Sequence, residues 1–207
     1  MTMAPEAPAS INYSVVPATV TRNDDTLGRV KVRYPWMDER GESDWLPVAG
    51  PGAGRGRGVF WMPVANDLVL VAFSFGELDN GYVIGALWST ADAPPVAGDP
   101  NVRTLRSPSG HAITFDDTAG AERISIVDKA GHTITLDSKA KTITIESRGD
   151  LTIRAAGQLA LHGEQGVTID GKTIALEARA SLSARASDLA LNGPNGVNIN
   201  DGALEVV

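Results

Sequence analysis

No cysteine occurs in the chain, which excludes disulfide staples and thiolate metal sites. No stretch approaches the roughly 18–20 apolar residues that a membrane-spanning helix needs. Met1 to Ser10 is rich in alanine and proline but has neither the basic start nor the apolar core of a secretory signal. It reads as part of a flexible arm over residues 1–11. Positive charge is not in excess either: 18 Lys and Arg stand against 25 Asp and Glu, a formal charge of −7. That balance argues against a protein whose main task is to neutralise nucleic-acid phosphates. The histidines are few and scattered, at positions 111, 132 and 162, and none forms the i, i+4 pair of a helical zinc site.

Aromatic side chains are nearly missing from the second half. Ten of the eleven lie before residue 90, and only Phe115 lies after it. Aromatics fill irregular cores with large individual contributions, so the first half reads as a compact globule and the second must be held together differently. Ala91 to Pro100 carries three of the twelve prolines and reads as an extended connector.

What is present in the first half is a set of short strands. Tyr13 to Thr21 is a β-branched run, and Gly28 to Tyr34 alternates apolar and basic residues with period two. Leu68 to Phe75 is almost continuously apolar, as expected of a strand covered on both faces, and Gly81 to Leu87 follows a polar turn. About five strands in residues 12–90 suggest a small barrel, with the OB-fold as leading candidate. The glycine-rich stretch Gly50 to Gly58 lacks the helix start and Lys-Ser/Thr of a phosphate loop. It reads as a mobile loop whose Arg55 and Arg57 are free to meet an acidic partner surface.

The second half is built on a repeat. Apolar-x-apolar triplets start at Ile143, Leu151, Leu159 and Val167, eight residues apart, and continue from Ile174, Leu182, Leu189, Val197 and Leu204 at spacings of seven or eight. Ile113-Thr114-Phe115, Ile124-Ser125-Ile126 and Ile134-Thr135-Leu136 fit the scheme more loosely. Each triplet puts two apolar side chains on one face of a strand. Turn-forming residues fill the gaps, with Gly149, Gly157 and Gly166 in successive ones. No proline interrupts Ser109 to Gly193, so none blocks backbone pairing there. A register of this kind is a repeat architecture.

One open ribbon of such strands cannot bury its own apolar stripe. A single-chain β-helix and three ribbons wound round one axis both would. The regular pattern, without distinct end caps, favours three chains and an all-β fold: a barrel followed by an intertwined triple-stranded β-helix over residues 101–207. The core of that trimer is expected to hold Ile143, Ile145, Leu151, Ile153, Leu159, Leu161, Val167, Ile169, Ile174 and Leu176. About twelve strands at roughly 4.8 Å each would make a needle some 55–60 Å long.

Gly28 to Trp36, Ser43 to Val48, Leu68 to Phe73, Gly81 to Trp88 and Ser109 to Asp117, in this order, resemble the barrel and needle-opening motifs of the phage baseplate assembly protein V family and of VgrG spikes. The resemblance implies a homotrimeric central spike, assembled in the producing cell into a phage-tail-like particle or virion baseplate. Its barrels would dock on a separate hub protein, and its needle would pierce the target envelope with transient membrane contact. The family's His-x-His for an apical iron is missing. The end at Leu204, Val206 and Val207 is expected to meet a separate PAAR-type tip protein. No cofactor, bound metal or nucleic-acid partner is expected.

Other chemistry finds thin support. Asp116-Asp117 sits where a strand enters a turn, and capping is the expected role. No second carboxylate completes a glycosidase pair, and no catalytic residue is assigned. A carbohydrate-interacting β-helix would show aromatic ladders. An OB-fold nucleic-acid binder would show basic strands with stacking platforms, of which Lys31, Arg33, Tyr34 and Trp36 give only a faint version.

Overall fold

The computed structural model describes residues 14–74, 77, 80–96 and 98–198. The chain divides into two units, Met1–Leu151 and Thr152–Val207. No α-helix occurs among the described residues.

The first five strands are β1 (Val15–Arg22), β2 (Arg29–Arg33), β3 (Leu46–Pro47), β4 (Leu68–Phe73) and β5 (Gly81–Leu87). They form one antiparallel sheet in the order β3-β2-β1-β4-β5. A parallel bridge between Val48 and Val83, with the Ala49 amide donating to the Val83 carbonyl at 2.8 Å, ties β3 to β5 and curls the sheet toward closure. Alternation decides what fills the interior. Val20, Val30, Val32, Val69, Val71 and Val83 are fully buried, joined by Ala18, Leu46, Tyr34 and Phe73. Each such valine contributes roughly 1.5–3 kcal/mol. The apolar run of β4 is unevenly covered: Val69, Val71 and Phe73 face the core, while Leu68, Leu70 and Ala72 are only half-buried.

Side chains repair the barrel where strands end. Ser43 is buried, and its hydroxyl accepts from the Val32 amide at 3.0 Å and donates to the Asp44 carbonyl at 2.7 Å. Asp25 organises the turn between β1 and β2. Its carboxylate accepts from the Leu27 and Arg29 amides and from both Nε and Nη2 of Arg29. The Arg29 guanidinium, then those amides, hold the Asp25 carboxyl down at about 2 against the opposing effect of burial. A carboxylate lowered in the fold stabilises it above the unfolded value of ~4, and that contribution is lost as pH falls through the folded value. Stability should therefore drop between pH about 4 and about 2, and Asp25→Asn should remove part of that drop in denaturant titrations run against pH.

Strands β6 (Val102–Arg106), β7 (Ala112–Asp116), β8 (Arg123–Val127), β9 (Thr133–Asp137) and β10 (Thr142–Glu146) form a second sheet in which each strand pairs antiparallel with the next. This differs from the strand-by-strand stitching among three chains expected from residue 101 onward. The reason is spacing. Units upstream of Ile143 lie further apart than those downstream, leaving room for reversing turns at Gly110 (φ +98°), Gly120 (φ +77°), Gly131 (φ +85°) and Lys141 (φ +56°).

The second unit has another character. Residues 152–198 contain no strand. Among the described residues there, backbone pairs with backbone at only two places: Gly166 donates to Gly163 at 3.2 Å, and Gly196 to Gly193 at 3.0 Å. The two turns are copies: Leu159-Ala-Leu-His-Gly-Glu-Gln-Gly-Val167 recurs as Leu189-Ala-Leu-Asn-Gly-Pro-Asn-Gly-Val197, 30 residues later.

Candidate assembly surface

In the second sheet, strand alternation and register gather the apolar side chains into two rows on one face. Leu105, Ile113, Ile126, Ile134 and Ile145 are opposite one another across all five strands. Phe115, Ile124, Leu136 and Ile143 form the second row. The row between them, on the other face, is Thr104, Thr114, Ser125, Thr135 and Thr144, with the first two hydroxyls 3.1 Å apart. One face is thus an exposed apolar surface, and the other is lined by hydroxyls that are half-buried from Thr104 to Thr135. The apolar rows are between 37% and 73% exposed.

The stripe continues in the second unit, where every large apolar side chain among the described residues is 50–70% exposed. Of the residues expected in a trimer core, Ile143 and Ile145 lie on β10 within the rows, and Leu151 closes the first unit. Ile153, Leu159, Leu161, Val167, Ile169, Ile174 and Leu176 lie along the second. Leu204, Val206 and Val207 lie outside the described residues. Leu105 belongs to the same face and was not legible as such, because arginines at 103 and 106 flank it.

The histidines and aspartates are tied into turns. His111 Nδ1 accepts from the Lys129 amide at 3.2 Å, and His132 Nδ1 from the Arg148 amide at 3.0 Å. Each histidine thereby holds the following turn along the same sheet edge. No cluster of three or more His, Asp or Glu suited to a metal occurs among the described residues. Asp116 caps the turn at Thr118 and pairs with Arg123 at 3.2 Å. Its carboxyl is lowered, first by the Thr118 hydroxyl and amide and then by Arg123. Asp117 pairs with Arg103.

The basic residues of β1 and β2 are similarly engaged. Arg22 and Lys31 lie over the Trp45 ring at 5.3 and 5.6 Å, Lys31 also reaches Glu42, and Arg33 donates to the Glu39 carbonyl at 2.6 Å. Tyr34 is buried, 3% exposed, with its hydroxyl unpartnered and its phenol pushed up to about 12 by burial. Its ring stacks on Trp36 at 4.9 Å. This is a core aromatic, not a platform for a base.

Residues 16–88, which hold all five barrel strands but the first residue of β1, match the family described as the Type VI secretion system/phage-baseplate injector OB domain. The barrel resembles an injector OB domain over those residues. Around it the chain is 31% identical over 111 residues to the Type VI secretion system spike protein VgrG3 of Vibrio cholerae, covering 48% of this chain and 11% of that protein. It is 32% identical over 115 residues to the spike protein VgrG4b of Pseudomonas aeruginosa, covering 49% and 14%. To the spike protein of Escherichia phage P2 it is 28% identical over 114 residues, covering 55% and 51%. The chain therefore spans about half the length of the phage relative and much less of the two secretion-system proteins. The match over residues 16–88 and these relatives bear out the resemblance to VgrG-like baseplate spikes.

Proposed function

We propose that this chain is the central spike of a contractile tail or injection-system baseplate, working as a homotrimer. The observation that carries the reading is the second unit: residues 152–198 combine an exposed apolar side chain every few residues with backbone groups that find almost no partner in their own chain. Buried backbone amides and carbonyls must be paired, and an apolar stripe of this length needs a cover. Three copies wound round one axis supply both, each ribbon giving hydrogen bonds to its neighbours and all three closing the stripe inward. The two apolar rows of the second sheet call for a cover of the same kind, supplied by three such sheets facing one another.

In this reading residues 12–90 dock on a separate hub protein, 91–100 connect, and 101–207 form the needle that crosses the target envelope. Each large apolar side chain contributes roughly 1.5–3 kcal/mol when fully covered. The needle is therefore stiff because its core is continuous. Leu204, Val206 and Val207 receive a PAAR-type tip protein. Size exclusion with light scattering tests the assembly: the expected mass is three times the 21.7 kDa chain, and a stable monomer would remove the intertwined needle.

A further inference from the structure

The glycine-rich stretch of the barrel is a built hairpin, not the mobile loop its composition suggests. Gly54 and Arg57 exchange both backbone hydrogen bonds, at 3.1 and 3.2 Å, Ala53 donates to Gly50, and Val59 donates to Pro51. Gly58 has φ +123°, and a Cβ there would meet the Ala53 Cα at 2.9 Å, so the turn depends on glycine. The hairpin presents Arg55 and Arg57 exposed, and neither pairs with a carboxylate among the described residues. Two ordered guanidinium groups on a rigid tip are a ligand without a receptor.

The same barrel carries a receptor of matching chemistry. A groove is walled by Tyr34, Trp36 and Met37 and rimmed by Glu42 and Asp44. Asp44 is exposed, with no partner for its carboxylate among the described residues, and Glu42 is held only by Lys31 at 3.8 Å. The buried Tyr34 hydroxyl has no partner. An aromatic wall beside carboxylates is the environment a guanidinium favours, since its flat face packs on rings while its fork bonds a carboxylate. The groove and the hairpin share no lining residue. A surface and its complement at two different places on one chain define a head-to-tail contact, which closes into a ring when the rotation allows.

We propose that the Arg55–Arg57 hairpin of one copy docks in the Trp36–Asp44 groove of the next, so that three barrels form a closed ring. This rests on the trimeric reading. It adds that the barrels are joined by charge-assisted contacts of their own, independent of the needle core.

The lack of native cysteine makes the test direct. Full-length Arg55→Cys/Asp44→Cys is treated with a short bis-maleimide after its mass has been measured by light scattering. The expected result is a covalent trimer on denaturing gels, at least about tenfold above an Asp44→Cys/Ser89→Cys control, because docking raises the effective concentration of the two thiols. Adding Arg57→Glu should lower the yield about tenfold, and adding Glu42→Arg to that variant should restore it. A particle that is trimeric in solution yet cross-links no better than the control overturns the ring and leaves the needle trimer standing, assigning the hairpin to a different acidic partner. A monomeric particle overturns both.

Discussion

Leu161→Asp is expected to abolish the trimer. In one chain Leu161 is 70% exposed, so the substitution has no packing to disturb and should be nearly silent in an isolated protomer. In three intertwined chains the same position lies beside the axis, and three carboxylates would be forced together in a dry core. An unpaired buried charge costs several kcal/mol after relaxation, and the cost recurs in each chain, so the trimer should be lost at micromolar concentration. Sedimentation velocity would read this as a fall to the 21.7 kDa species or to aggregate. Thr168→Asp, at the middle of the Val167–Ile169 triplet and so on the opposite face, serves as the control and should leave the mass unchanged. An unaltered trimer carrying Leu161→Asp would mean that the stripe faces solvent.

The second large effect is expected at a glycine. A Cβ on Gly193 would lie 2.5 Å from the Gly196 carbonyl oxygen, and Gly163 makes the same, still tighter approach to Gly166. Real side chains do not come so close, so Gly193→Ala must open the turn and break the Gly196-to-Gly193 hydrogen bond. Overpacking of this kind typically costs about 1–3 kcal/mol per chain, and in a threefold assembly all three turns change together. Thermal melting should show the loss, whereas Gly157→Ala, where a Cβ meets nothing within 4 Å, should melt near the parent. Equal melting of the two variants would show that the turns at 163–166 and 193–196 are not built as described.

The barrel was largely legible because its signal is local. Val30 and Val32 alternate with basic residues, so their burial follows from period two, whereas Val69 and Val71 lie in a continuous apolar run that reads as covered on both faces and is fully covered on one. The pairing within the second sheet was not legible because the triplet Ile134-Thr135-Leu136 looks the same whether its strand pairs with its own chain or another. Alternation fixes the face of a strand and says nothing of its partner. Only the wider gaps around Gly120 and Gly131 carry that information. The glycine-rich stretch misled for a related reason: the bonds between Gly54 and Arg57 are backbone to backbone and leave no mark on composition. Nor could the roles of His111 and His132 be read, since each accepts from an amide 18 or 16 residues away.

The duplicated turn bears on how such a needle changes over generations. Leu159–Val167 and Leu189–Val197 match at six of nine positions, in frame 30 residues apart, so recombination between them would delete or insert a whole block without shifting the apolar stripe. The barrel, upstream of both segments, would be untouched. Under the proposed reading, needle length would be inherited in discrete steps, and a spike would be lengthened by copying a block instead of redesigning one.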